Sequence, residues 1–114
     1  MRLKGKVAVV TGAGQGMGRA IARRFCAEGA TVVAIDLNLA AANETLAGLE
    51  GYAASVDIAD SAAVDAAFAE AVSRLGRVDI LVNNAGMGSV DAFADIPDAT
   101  WARVIGVTLT GAFY

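Results

Sequence analysis

The hydrophobic and polar positions of the chain follow two alternating patterns. Short apolar runs rich in β-branched residues predict strands over residues 6–11, 31–36 and 78–83, and a less apolar run predicts a weaker strand over 51–57. Between these runs, apolar residues recur every three or four positions, which is the periodicity of a helix with one buried face. We therefore expect a helix after each strand.

Glycine, aspartate and proline mark the ends of these helices. The sequence predicts a first helix from Met17 to Gly29, a second around residues 39–49, a third capped by Asp60 and ended by Gly76, and a last one that begins at residues 97–98. Residues 87–96 are predicted to form a loop. The core-facing residues are expected to be Ile21, Ala22, Phe25 and Cys26 in the first helix, Val64, Ala67, Phe68, Ala71, Val72 and Leu75 in the third, and Trp101, Val104, Ile105, Thr108, Leu109 and Ala112 in the last.

The alternation of strands and helices predicts an α/β fold with a parallel sheet and three layers. Right-handed crossovers then give the strand order 3-2-1-4, which is the first half of a doubly wound Rossmann sheet. All of residues 1–114 fit one half-domain of this kind. A fifth strand would normally pair with the free edge of strand four.

Composition narrows the possible partners. The chain is 56% hydrophobic and 18% charged, which excludes disorder and suggests that more chain or a partner covers part of its surface. The net charge of -3, with no basic tract, argues against a nucleic acid partner. The uncharged runs are too short to cross a bilayer, and the apolar stretch near the N-terminus is too short for a secretory signal, so we expect a cytoplasmic protein without a membrane partner.

The residues that are missing exclude several kinds of chemistry. Cys26 is the only cysteine, so no internal disulfide is possible, and its place beside Phe25 predicts a small buried core residue rather than a reactive thiol. There is no histidine, which excludes His-based triads and most zinc sites. No metal site is predicted.

A glycine-rich loop joins the first strand to the first helix. It has the pattern T-G-x-x-x-G-x-G, with glycines at Gly12, Gly16 and Gly18. A dinucleotide pyrophosphate needs bare backbone N–H groups at close range, and a helix N-terminus adds partial positive charge. A plain glycine-rich turn is the alternative, but the order strand, glycines, helix favours a nucleotide site.

Asp36 ends the second strand, where a carboxylate can accept hydrogen bonds from both hydroxyls of an adenosine ribose. The same charge would repel a 2′-phosphate, and Leu37 and Asn38 follow it rather than a basic residue. This predicts a preference for NAD over NADP, although a solvated aspartate at a strand end remains an alternative. Residues 83–86, Asn-Asn-Ala-Gly, end the fourth strand and could either tie strand ends together or face a ligand.

Taken together, these motifs resemble the short-chain dehydrogenases/reductases. The likeness consists of the glycine pattern, the acid at Asp36, the Asp57-Ile58 pair, the Asn-Asn-Ala-Gly segment and the last helix, in the family's order along the whole chain. The resemblance implies an NAD(H)-dependent oxidoreductase acting on an alcohol or ketone. The full-length protein is then expected to be a homodimer or homotetramer.

The resemblance also implies the role of each binding residue. Gly12, Gln15, Gly16, Met17 and Gly18 would bind the pyrophosphate, and Asp36 and Leu37 would hold the adenosine ribose. The remaining residues would flank the adenine and follow the cofactor toward the nicotinamide: Asp57, Ile58, Asn84, Ala85, Gly86 and Val107.

The sequence departs from the family in two places. Thr108 stands where relatives usually have an asparagine that positions water in a proton relay, and its hydroxyl could instead bond back to the carbonyl of Val104. The family's serine and Tyr-x-x-x-Lys pair are not among these residues, so no catalytic residue is predicted and the chain alone is expected to be inactive. We expect a fragment of a longer enzyme.

Two other functions remain open at this stage. A binding module, either an NAD sensor or a partner in a split domain, would also use these motifs without catalysis. A Rossmann-type methyltransferase also has a glycine loop, but it usually carries an acidic residue just before that loop, where Val10 and Thr11 stand here.

Overall fold

The computed structural model, which describes residues 1–114, contains one sheet of four parallel strands. These are β1 (Val7–Thr11), β2 (Thr31–Ile35), β3 (Gly51–Ala54) and β4 (Ile80–Val82), in the spatial order β3-β2-β1-β4. The predicted fold class and strand order are therefore confirmed. β1 pairs with β2 along its full length, so their carboxyl ends, Thr11 and Ile35, lie side by side.

Helices follow the strands as predicted, and several differ in length from the prediction. They are α1 (Gly16–Ala27), α2 (Leu39–Thr45), α3 (Ser61–Leu75), α4 (Asp98–Ile105) and the short α5 (Gly111–Phe113), with a π-helical stretch at Gly106–Thr110 between the last two. A 3-10 turn at Phe93–Asp95 interrupts the predicted loop. None of these helices is long and apolar enough to span a membrane.

Three elements, β3, β4 and α2, are shorter than predicted. β3 ends at Ala54, because its pairing with β2 stops at Ile35, the last residue of β2. β4 has only the residues that face β1. Helix α2 ends at Thr45 because the chain turns back toward β3 through Gly48, which has a φ of 73° that favours glycine.

The core consists of one apolar layer on each face of the sheet. Alternate residues of β1 and β2 point to opposite faces, as the strand period requires. One layer packs against α1 and α2 and includes Val10, Val32 and Ala22. The other packs against α3 and includes Val9 and Val33. This is the three-layer arrangement expected from the sequence. Cys26, predicted to be buried, is only half-buried against the first layer.

The last helix buries a different face from the predicted one. Val107 and Gly111 are its buried residues, whereas Trp101 and Leu109 are exposed. A π-helical turn holds more residues than an α-helical turn, so it rotates Leu109 and the residues after it away from the 3.6-residue period. Trp101 precedes this stretch, and its exposure does not have this cause. The predicted face assumed that period throughout. Val72 of α3, also predicted as core, is half-exposed.

The cap of α3 gives the first testable prediction. The Asp60 carboxylate accepts hydrogen bonds from the backbone N–H groups of Ala62 and Ala63 at 3.1 and 3.3 Å. We expect Asp60→Ala to lower the free energy of unfolding by about 1 kcal/mol, because two N–H groups of the first turn lose their acceptor. Urea denaturation measures this loss. The matched control is Asp65→Ala, in the exposed interior of the same helix, and an equal loss there would show that the cap contributes nothing.

Candidate cofactor-binding site

A cleft of about 110 Å³ opens at the carboxyl edge of the sheet, where segments that follow all four strands meet. Most of the residues that line it were predicted to bind a cofactor: Gly12, Asp36, Leu37, Asp57, Ile58, Ala85 and Val107. Three further lining residues, Ile35, Val56 and Arg103, were not predicted. The structure thus brings together residues from positions 12 to 107 of the chain.

Two glycines of the loop are required by close packing. A Cβ atom on Gly18 would lie 2.1 Å from the carbonyl oxygen of Gly12, and one on Gly12 would lie 2.8 Å from Nδ2 of Asn84. Real Cβ atoms do not approach other atoms so closely. Gly18 is buried beneath the loop, so it lets α1 begin directly against the end of β1.

The other side of the loop faces open space. Gly16 has a φ of 55°, a left-handed conformation, and no heavy atom lies within 4 Å of the position its Cβ would take. Gln15 and Met17 beside it are exposed. Helix α1 has no capping side chain and no acidic residue in its first turn, so its N–H groups and partial positive charge are uncompensated.

Asp36 points toward the glycine loop. Its Oδ2 accepts a hydrogen bond from the backbone N–H of Gly14 at 2.8 Å, and its Oδ1 accepts one from Asn38 at 3.0 Å. Each carboxylate oxygen therefore keeps one further acceptor site. A side chain on Gly14 would collide with this carboxylate, since its Cβ would lie 2.7 Å from Oδ2.

Arg19 supports the loop from behind, which sequence reasoning missed. Its guanidinium donates to the carbonyl oxygen of Gly14 at 2.6 Å and to Oγ1 of Thr45 at 3.0 Å. The peptide groups of Gly14 are thus held by Asp36 on the N–H side and by Arg19 on the carbonyl side. No local pattern indicated this contact, because Thr45 belongs to another helix.

The Asn84 side chain joins the ends of β1 and β4. Its Nδ2 donates to the carbonyl oxygens of Thr11 at 3.1 Å and Gly12 at 3.3 Å. The Thr11 hydroxyl accepts from the backbone N–H groups of Asn84 and Ala85 and donates to the carbonyl of Val82. Of the two roles considered for this segment, the structure shows that Asn84 ties strand ends together.

Asp57 and Ile58 follow β3 and form another wall of the cleft. Asp57 is paired with Arg103 of α4, whose Nη1 lies 2.8 Å from Oδ2. This hydrogen bond, with one from the backbone N–H of Ala59, holds the pKa of the Asp57 carboxyl below its usual range. The side chain therefore stays ionised at neutral pH. Ile58 is buried against Gly111.

Thr108 contacts the chain after β4 and not its own helix. Its hydroxyl donates to the carbonyl oxygen of Met87 at 3.1 Å and accepts from the Met87 N–H at 3.2 Å. The expected bond to the carbonyl of Val104 is absent, because the threonine hydroxyl reaches a backbone segment that satisfies both its donor and its acceptor. Gly86, which is exposed, lies beside the Thr108 side chain.

This arrangement of a parallel sheet, a glycine loop at a helix N-terminus and an acid after β2 defines a dinucleotide-binding Rossmann fold. The family model described as short chain dehydrogenase matches residues 6–114. The chain therefore belongs to the short-chain dehydrogenase family.

Known relatives match nearly the whole chain. Meso-2,3-butanediol dehydrogenase of Serratia marcescens is 40% identical over 117 residues, covering 100% of this chain and 47% of the relative. The structure of 3-ketoacyl-(acyl-carrier-protein) reductase from Brucella melitensis, complexed with NADH, has a TM-score of 0.92 at 40% identity, covering 97% of this chain and 47% of that one. A metagenomic short-chain oxidoreductase in complex with NADP has a TM-score of 0.93 at 34% identity, covering 99% of this chain and 54% of that one. The chain thus spans about half the length of the relatives it matches.

Substitution by alanine should destabilise the protein more at the closely packed Gly18 than at Gly16, which faces open space. We expect Gly18→Ala to cost about 3 kcal/mol of stability, because its Cβ meets backbone that cannot move aside. Gly16→Ala should cost only about 1 kcal/mol, from its left-handed conformation. Chemical denaturation measures both, with Gly88→Ala, at an open position, as the neutral control. Equal losses at Gly16 and Gly18 would contradict this account of the loop.

The Thr108 contact can be tested in the same way. Thr108→Val keeps the shape of the side chain but removes both hydrogen bonds to Met87, and we expect a loss of about 1 kcal/mol in the free energy of unfolding. Thr110→Val is the matched control, since the Thr110 hydroxyl makes no side-chain hydrogen bond and lies in the same π-helical stretch. If the two variants are equally stable, the Thr108 contact contributes nothing to the free energy of unfolding.

Proposed function

We propose that this chain binds NAD(H) and forms the cofactor-binding part of an oxidoreductase that acts on an alcohol or ketone. The observation that carries the proposal is the Asp36 carboxylate, held against a glycine loop that is open to solvent at the start of α1. A bound nicotinamide would supply or accept the hydride. The residues of this chain bind and orient that group, and nothing in the proposal assigns them the proton transfer.

The pyrophosphate is expected at the open face of the loop. An anion there can approach the backbone around Gly16 without meeting a side chain, and α1 offers free N–H groups in its first turn. Gln15 and Met17 are exposed beside this position. Gly12 and Gly18 contribute indirectly, because their lack of side chains lets the loop lie this close to the strand ends.

The adenosine ribose is expected at Asp36, with Leu37 beside it. The two carboxylate oxygens each retain an acceptor site, which matches the two hydroxyls of an unphosphorylated ribose. A 2′-phosphate would meet this negative charge. Arg103, the one cationic residue that lines the cleft, is already paired with Asp57 and does not offset the repulsion. This supports NAD over NADP, although relatives with NADH and with NADP are both known.

The remaining binding residues extend the site in both directions. Asp57 and Ile58 are proposed to flank the adenine, with Val107 packed behind them. Asn84, Ala85 and Gly86 are proposed to follow the cofactor toward its nicotinamide ribose. Thr108 would act at that end by holding Met87 and so fixing the backbone beside Gly86.

Cofactor choice provides the test. NAD and NADP are titrated separately by calorimetry against the intact polypeptide that carries this sequence and against Asp36→Ala. We expect the natural protein to prefer NAD, and the variant to lose at least about tenfold of that preference, since hydrogen bonds to a charged group contribute about 1.5–3 kcal/mol. Asp65→Ala, exposed on α3, is the control for nonspecific charge effects. If Asp36→Ala keeps the same preference for NAD over NADP, the carboxylate does not recognise the ribose.

A further inference from the structure

Thr45, the last residue of α2, is fully buried although its side chain is polar. Its Oγ1 donates to the carbonyl oxygen of Ala13 at 2.7 Å and accepts from Nε of Arg19 at 3.0 Å. The same hydroxyl lies 3.1 Å from the carbonyl oxygen of Ala41, one turn back in its own helix. Neither Thr45 nor Arg19 lines the cleft, so any effect of these two side chains on a bound dinucleotide must pass through the glycine loop.

The protein itself holds every backbone polar group of two consecutive loop residues. The Ala13 N–H donates to the last carbonyl oxygen of β2 at 3.0 Å, and its own carbonyl oxygen accepts from Thr45. The Gly14 N–H donates to Asp36 at 2.8 Å, and its carbonyl oxygen accepts from Arg19 at 2.6 Å. This part of the loop is therefore a scaffold, and the phosphates are left to the residues that follow it.

The peptide unit between Ala13 and Gly14 connects Thr45 to Asp36. A trans peptide unit is planar, and its C=O and N–H groups point in opposite directions. Because Thr45 fixes the carbonyl group, it also fixes the direction of the N–H that reaches Oδ2 of Asp36. The other hydrogen bond of this carboxylate, from the N–H of Asn38, comes from the next residue but one and does not direct it toward the loop.

Arg19 determines which way the Thr45 hydroxyl points. A guanidinium only donates, so the hydroxyl oxygen accepts from Arg19 and its single proton is left for a carbonyl oxygen. The shorter of its two carbonyl contacts is the one to Ala13, and the longer one is to Ala41. Without the guanidinium, the Gly14 carbonyl would lose its partner and the hydroxyl would be free to turn toward its own helix.

A carboxylate fixed in one direction discriminates more strongly than one that can turn away. An oriented carboxylate receives the two ribose hydroxyls without an ordering cost, and it cannot move aside to reduce its repulsion of a 2′-phosphate. Resting on the proposed function, we propose that Thr45 and Arg19 are positioning residues that set the cofactor preference from behind the loop, by keeping Asp36 oriented. The choice between the two dinucleotides then depends on a buried hydroxyl of α2 that no ligand touches.

The test measures the ratio of NAD affinity to NADP affinity in variants outside the cleft. Calorimetry without turnover, on the intact polypeptide that carries this sequence, gives each affinity. We expect Thr45→Val, which keeps the side-chain shape but removes the hydroxyl, to lower the ratio at least about threefold, and Arg19→Met to lower it by a similar factor. Thr45→Ser keeps the hydroxyl and should retain the natural ratio. If Thr45→Val does not fold, Arg19→Met carries the test, because the Arg19 side chain is partly exposed.

Arg23→Met is the matched control. Arg23 lies one turn after Arg19 on α1 and donates to the backbone carbonyl oxygens of Thr45 at 3.1 Å and Glu44 at 3.3 Å, but it makes no hydrogen bond to the loop. This variant should leave the ratio unchanged even where urea denaturation shows that it lowers stability. If Thr45→Val and Arg19→Met weaken NAD and NADP equally, their role is merely structural and the inference is overturned.

A double-mutant cycle shows whether Thr45 acts through Asp36. In an Asp36→Ala background, Thr45→Val should not change the ratio further, because the group that it positions is gone, and a further change would contradict the inference. If Asp36→Ala lowers the ratio but Thr45→Val and Arg19→Met do not, the inference fails while the proposed function stands. If Asp36→Ala also leaves the ratio unchanged, the proposed ribose contact is wrong and the inference fails with it.

Discussion

The rest of the site depends on the junction where β1 and β4 end. The Thr11 hydroxyl and the Asn84 amide together satisfy backbone groups from both strands, across more than seventy residues of chain. A buried junction of parallel strands leaves such groups without partners unless side chains supply them. Asn84 occupies the space next to Gly12, and Asn84 together with the Gly12 carbonyl oxygen fills the space next to Gly18, so neither glycine can carry a side chain. One polar network therefore determines where α1 starts and which side of the loop stays open.

A second constraint acts on the middle of the loop. Asp36 holds the N–H of Gly14, while Arg19 holds its carbonyl and at the same time contacts Thr45 of α2. The Asp36 carboxylate and the Gly14 backbone therefore fix each other. Because the carboxylate is already oriented, a ligand does not lose binding free energy in ordering it. Substitutions at Asp36 therefore act on the loop as well as on the proposed ribose contact, so stability must be measured together with affinity.

The sequence predicted the fold better than it predicted the contacts within the site. Strand order, the cap at Asp60 and the position of Asp36 follow from local periodicity, capping chemistry and crossover handedness, all readable in short windows. The roles of Arg19 and Arg103 were missed because a long polar side chain on a helix surface gives no local sign of its partner; Arg103 and Asp57 are separated by 46 positions. The buried face of the last helix beyond residue 106 was mispredicted because a π-helical turn breaks the period on which the prediction relied.

The last helix shows how the site can be positioned without a large core. In α4 no residue is buried, and beyond it only Val107 and Gly111 are, so apolar packing holds this helix weakly. Polar contacts supply the rest, through Arg103, which pairs with Asp57, and Thr108, which bonds to the backbone of Met87. Exposed apolar residues such as Trp101, Leu109 and Phe113 lie on the same helix. The helix forms one wall of the cleft through Arg103 and Val107, so this wall is docked by an ion pair and by apolar packing together.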